Sequence, residues 1–388
     1  VSMTMKHRTA MAGLSLVELM VALVISLVLM LGVVQVFIAS QTASRLSEGA
    51  SRVQENARFA LDFLERDIRM AGHMGCVNDQ AHVVKNQGDP VSHLGATSGA
   101  GSPLDFSVSI QGFDAPDTAP GGSLALGADW SAPQGLPAAI AGLSPAPAGG
   151  SDVLLLRFFA PMGVPVTAIS SDGSDALLDV DSDHVARLTS DGISTPTLFG
   201  IADCGHADVF AGTLSAARVT ATSLDLSRYV AQPTGQTMLY RAESMVYYVG
   251  INPETKQPGL RRARADSDGE YTINEELVEG IESLQLMYGL DNTANISIST
   301  PPAGNITQLA AAGGVSTDAN AEGAAQWLRV GQVQVGLLAR SPSPSSSAQS
   351  ANALSALGVE FTNSDKPDGR YRSSYEVSIA LRNRLFGN

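Results

Sequence analysis

Glu18 is the residue that first raises a chemical question. It stands in Gly13-Leu14-Ser15-Leu16-Val17-Glu18-Leu19-Met20, at the head of an apolar run that reaches Ala39. Between Leu19 and Ala39 only Ser26 and Gln35 carry polar side chains. About 21 residues of this kind cross a hydrocarbon layer of ~30 Å as a helix. A carboxylate beside such a segment is costly unless something meets it. Two partners are available in principle. The free backbone N–H groups and dipole of the helix N-terminus favour an acid there. Alternatively, an ammonium group can pair with it and offset part of the desolvation cost of both charges.

The residues ahead of Glu18 bear on the second choice. Lys6, His7 and Arg8 form a basic stretch, and Ala12 and Gly13 follow it. A secretory signal places its small-residue cleavage site after the apolar stretch. Here the small residues come first, so a cut after Gly13 leaves the helix on the mature chain. It also creates an amine at Leu14, four residues from Glu18. Positive charge on this side predicts a cytoplasmic N-terminus, with the rest of the chain exported.

The two cysteines are the next candidates. Cys76 follows the N-terminal helical region, and Cys204 lies in Ala202-Asp203-Cys204-Gly205-His206. In an exported domain a single pair reads most simply as one disulfide. Two buried thiols, or a metal held with His73 and His206, are the alternatives, although zinc-finger spacing is absent. Three acidic stretches, 172–175, 179–183 and 266–270, could hold calcium, but none completes the twelve-residue EF-hand spacing. They read more simply as solvated turns. No P-loop, dinucleotide-binding, zinc-protease or nucleophile-elbow pattern is present.

Over 388 residues the net charge is −14. No Lys/Arg cluster offers a nucleic-acid footprint. The densest basic patch, Arg261-Arg262-Ala263-Arg264, is followed at once by Asp266, Asp268 and Glu270. It reads as a solvated strand edge or a salt-bridged hairpin.

The elements that must position these groups follow from periodicity. Leu46, Val53, Ala57, Ala60, Leu64 and Ile68 recur at spacings of three, four and seven, an amphipathic helical stripe. It predicts one helix continuing from the apolar run to Ala71, ended by Gly72 and Gly75, with Gly32 and Gly49 as candidate bends. Beyond it the texture is β. Strands are predicted over 153–159, 239–249, 281–288, 333–337 and 375–381, with a partner strand starting at Leu260. Period-two patterning argues for an antiparallel sheet with one face covered, and the amphipathic helix is the obvious cover. Residues 95–150, 301–323 and 341–350 are rich in Gly, Ala, Ser and Pro and read as surface loops or partly disordered insertions. The fold class is α+β, with four regions: 1–13, a leader; 14–40, a membrane helix; 41–75, an amphipathic helix; and 76–388, a β-rich domain with long loops.

The stretch Gly13-Leu14-Ser15-Leu16-Val17-Glu18-Leu19 resembles the class III signal of type IV pilins and type II secretion pseudopilins. The usual first mature residue of that family is Phe; here it is Leu14. The resemblance implies that a prepilin peptidase cuts after Gly13 and that Leu14 is methylated. It also implies that Glu18, fifth in the mature chain, pairs with the N-terminal amine of a neighbouring subunit. The blocks 54–64, 69–72, 75–76, 277–282 and 377–384 are similar to the PilW kind of minor pilin. That likeness implies a structural protein with no cofactor and no catalytic residues. Its partners would be other minor and major pilins through the N-terminal helix, the prepilin peptidase and the inner-membrane pilus assembly machinery. It would sit in the inner membrane with a periplasmic domain, enter the extracellular pilus, and serve in a tip or priming complex supporting twitching motility, adhesion or DNA uptake. A type II secretion pseudopilin of the J kind shares the signal, and a membrane-anchored periplasmic enzyme or binding module is the reading from a different class.

Overall fold

A computed structural model describes residues 15–76, 90–294, 296, 300, 302–344, 354–362 and 368–383. One helix, α1, runs unbroken over Leu16–Met70. No proline lies within it, and Gly32 and Gly49 sit inside without interrupting it. At 1.5 Å per residue its 55 residues span about 80 Å. The end comes where the sequence marks it. The Ala71 N–H donates to the Ile68 carbonyl (3.1 Å), and Gly72 takes a left-handed φ of 77°. Its N–H leaves the helix for the Arg157 carbonyl (3.2 Å).

The two halves of α1 have different surroundings. From Leu16 to Ile38 every large apolar side chain is exposed. From Val53 onward the predicted stripe is buried: Val53, Ala57, Ala60, Leu64 and Ile68 are fully covered. They pack on a four-stranded antiparallel sheet in the order Ile306–Ala310, Ile281–Asp291, Val330–Arg340, Arg372–Ala380.

A twelve-stranded sheet completes the first lobe and builds a second. Its spine is the 14-residue strand Met238–Ile251. The later part of that strand pairs antiparallel with Val153–Phe159 and Pro258–Ala265, and Tyr271–Glu279 adds the next strand. Its first residues pair with Leu198–Ala202 and Val164–Asp172. These belong to a second lobe spanning residues 164–237, which has its own core around Val166, Leu178, Phe199, Ile201, Phe210 and Val219. A three-stranded sheet of Ser123–Ala125, Leu354–Ala356 and Val359–Thr362 closes the far side of the four-stranded sheet through Leu124, Val359, Phe361 and Leu338.

Two expectations need correction. The sheet under α1 is not covered on one face only, because Ile281–Asp291 is buried at all eleven positions. The three-stranded sheet and the chain near Gly150 supply the second cover. Nor is 95–150 a run of surface loops. It contributes Leu104, Phe106, Val108, Ile110, Leu124, Ile140 and Leu143 to the cores. The fully buried guanidinium of Arg157 fastens part of it, donating to the carbonyls of Ser102, Pro103 and Val108. Likewise 301–323 contains the strand Ile306–Ala310 and a short helix Ala312–Val315. Of 341–350, residues 345–350 lie outside the described residues.

Candidate functional site

At the head of α1 the described residues begin with Ser15, the N-cap; Gly13 and Leu14 lie outside them. Ser15 Oγ accepts from the Val17 N–H (3.2 Å), and Glu18 Oε2 accepts from the Ser15 N–H (3.0 Å). This is a reciprocal capping box, which satisfies donors that a helix start leaves open. Within one chain, therefore, Glu18 caps its own helix. Farther along, Ser26 Oγ donates to the Leu23 carbonyl (2.9 Å) and Thr42 Oγ1 to the Ile38 carbonyl (2.8 Å). These hydroxyls turn inward on the helix backbone and leave an apolar cylinder facing outward. Leu16–Ile38 is long and apolar enough to cross a membrane.

The other half of the site is the clasp that holds α1 to the sheets. Asp67 sits on the buried stripe, three residues after Leu64, and is 4% exposed. It accepts from the Tyr247 hydroxyl, from Arg262 Nη1 (3.1 Å) and from Arg66 Nε (2.9 Å). Arg262 in turn donates to Glu275 Oε1 from Nε (2.9 Å) and Nη2 (2.6 Å). Burial works to discharge Arg262, yet its pKa is raised, because its bonds to Glu275 and the charges of Asp67 and Glu275 hold the cation. Burial, then the Asp67 charge, raises Tyr247 and keeps its hydroxyl protonated to donate. Two further bonds fix the register of the helix: Asn56 Nδ2 to the Glu279 carbonyl (2.9 Å) and Asn383 Nδ2 to the Arg69 carbonyl (2.9 Å).

The basic run is thus one half of a salt-bridged hairpin and not a solvated edge. Arg261, Arg262 and Arg264 lie on a strand bounded by two others and are nearly buried. Their acids are Glu276, Asp67, Glu275 and Glu243 rather than the turn residues Asp266, Asp268 and Glu270. The clasp acids were not singled out in the sequence reading. Asp67 carried a usable signal, since an acid at a stripe position demands a buried cation.

Cys76 and Cys204 are joined in a disulfide with Cα atoms 4.7 Å apart. The metal alternative fails on geometry. The sulfurs are bonded to each other, and His73 Nδ1 instead meets the Phe159 carbonyl (2.9 Å). Among the described residues no three His, Cys, Asp or Glu side chains converge as a metal site. The acidic stretches resolve into local structure. The 172–175 and 266–270 stretches turn hairpins, with Gly173 and Gly269 at positive φ, and Asp179 pairs with Arg218 (2.6 Å).

Residues 246–383 match the family model described as PilW, Type IV Pilus-assembly protein W. Over these residues, somewhat more than a third of the chain, it is similar to the PilW family. No curated protein and no solved structure matches the chain. The PilW region holds most of what clasps α1: Tyr247, Arg262, Glu275, the Glu279 carbonyl and Asn383. It also contains the whole four-stranded sheet. The second lobe, 164–237, lies outside it. PilW is described as a type IV pilus-assembly family, and the match supports involvement in pilus assembly.

Proposed function

We propose that this chain is a minor type IV pilin. In this reading the prepilin peptidase cuts after Gly13 and methylates the new N-terminus at Leu14. The exposed cylinder Leu16–Ile38 then lies first in the inner membrane, with the domain in the periplasm, and later among the helices of other minor and major pilins. The observation that carries the reading is the contrast along α1: an apolar half with none of the described residues packed on it, continuous with a half clasped by the PilW-matched sheets. A rigid helix held at one end and bare at the other supplies an assembly surface already ordered before partners arrive, which lowers the entropy cost of association.

Glu18 has two roles in this account. In the single chain it accepts the Ser15 N–H. In the assembly its carboxylate also receives the Leu14 ammonium of a neighbouring subunit. Each charge would otherwise be desolvated alone among apolar helices, so pairing sets the axial register of the subunit. The chain serves assembly rather than catalysis, in a tip or priming complex that supports motility, adhesion or DNA uptake.

The test is incorporation. In cells carrying the tagged chain as their sole copy, pili sheared from the surface should contain it, and deletion should remove surface pili while leaving protein secretion intact. Normal pili with failed secretion would transfer the chain to the pseudopilin role. Intact pili and secretion together with hydrolytic or ligand-binding activity in the purified chain would support an anchored periplasmic module.

A further inference from the structure

The segment that leaves α1 is fastened repeatedly within six residues. The Gly72 N–H donates to the Arg157 carbonyl (3.2 Å), and the Phe159 N–H donates to the His73 carbonyl (2.7 Å), both on the Val153–Phe159 strand. Met74 is buried against Phe106, Phe159 and Leu198. Cys76 is then bonded to Cys204, in the turn between the second-lobe strands Leu198–Ala202 and Ala207–Ala211. Gly75 allows this close seat. At its φ of 75°, a Cβ would lie 2.8 Å from Ala202 Cβ and 2.9 Å from the Tyr240 ring.

The backbone pairing of the second lobe to the spine strand is short by comparison, and one apolar cluster, with Leu198 and Val209 against Phe159 and Tyr240, backs it. Met238–Ile251 pairs with Val164–Asp172 at two positions and with Leu198–Ala202 at four. Arg241 adds bonds to the Leu188 and Ser190 carbonyls (3.0 and 2.9 Å). Short ladders pulled from one end open a pair at a time. The disulfide removes that route. It links the end of α1 directly to the second lobe across a sequence separation of 128 residues. Both cysteines are exposed, so the bond is not filling a core.

We infer that Cys76–Cys204 is a tension strap, carrying pulling force between the long helix and the 164–237 lobe so that the lobe is not peeled from the spine strand. The inference rests on the proposed reading of α1 as a filament helix, because filament assembly is what would place the helix under tension.

The experiment uses the full chain extracted in detergent, with clickable residues at exposed Ser47 and Ser171 as attachment points for optical tweezers. Folded protein is measured before and after reduction of the exposed bond with dithiothreitol, so no variant has to fold without it. The first rupture force should fall on reduction, since forced unfolding is governed by the barrier along the pulled route. Pulling between Glu254 and Glu360, whose intervening chain contains neither cysteine, should give the same force in both states. An unchanged force in the first geometry, or an equal drop in both, overturns the strap. Failure to find the chain in pili would instead remove the filament reading and leave the force result standing.

Discussion

Replacing Asp67 with Ala should unclasp the helix more than its single position suggests. The substitution leaves a nearly buried Arg262 without one of its two acids and a buried Tyr247 hydroxyl without its acceptor. Breaking a buried ion pair from one side costs about 3–5 kcal/mol. Here Arg262 keeps Glu275, whose side chain is 41% exposed and shares the charge with water, so the lower end applies to that part. An orphaned buried hydroxyl costs about 1–3 kcal/mol. The two overlap on one cluster, and the expected loss is about 4 kcal/mol. Urea unfolding of the detergent-extracted chain with its disulfide intact would measure it. The discriminating control is the triple variant D67A, R262M and Y247F, which removes the whole cluster. Replacing a buried charged set with apolar groups is often neutral, so the triple variant should recover at least about half of the loss. A loss under about 1 kcal/mol for Asp67→Ala, or a triple variant worse than the single, would refute the account of the clasp.

Three other outcomes are expected. Asp152 is 1% exposed, and burial, then the charge of Asp114, pushes its pKa up to about 8 against the opposing bonds from Thr118, Ala115 and Leu286. Because the folded value lies above the unfolded one, its contribution is fully present below the unfolded pKa of ~3.9 and is lost as pH rises through the folded value. Urea midpoints should therefore fall between pH 5 and pH 8, and Asp152→Asn should flatten that slope whatever its absolute stability; an unchanged slope would count against it. Replacing both Cys76 and Cys204 with Ser should lower stability by about 5 kcal/mol in the chain-entropy treatment of a loop of this length, read as an earlier urea midpoint. Glu18→Ala should leave peptidase processing and membrane insertion intact but reduce recovery of the chain in sheared pili, and normal recovery would remove the pairing role.

Much of the first lobe was legible because its signals are periodic. The stripe from Val53 to Ile68 named the buried face of α1. The runs 153–159, 239–249 and 281–288 fall within observed strands, and the cysteine count named the disulfide. The second lobe was not legible. Its strands Leu198–Ala202, Ala207–Ala211 and Arg218–Ala221 are four or five residues long, too short for a period to show. The 95–150 tract hid its core residues for a similar reason. Its regular elements are at most four residues long, among them the strand Ile110–Phe113 and the helix Ala138–Ala141, and the Phe106 approach is held by a fastened loop path. At the candidate site, Glu18 stood out because an acid heads an apolar run. Arg262 and Glu275 did not, because an Arg-rich strand with acids nearby looks the same whether its partners are adjacent in sequence or 195 residues away.

The most direct test of the central claim is the N-terminus of the mature protein. Membrane-extracted chain from cells with and without prepilin peptidase would be measured by intact mass and N-terminal sequencing. The account predicts a start at Leu14 carrying one added methyl group, present only when the peptidase is present. A chain that keeps residues 1–13 in both cells, or one cut beyond Ala39, would contradict it and remove the basis for Glu18 pairing.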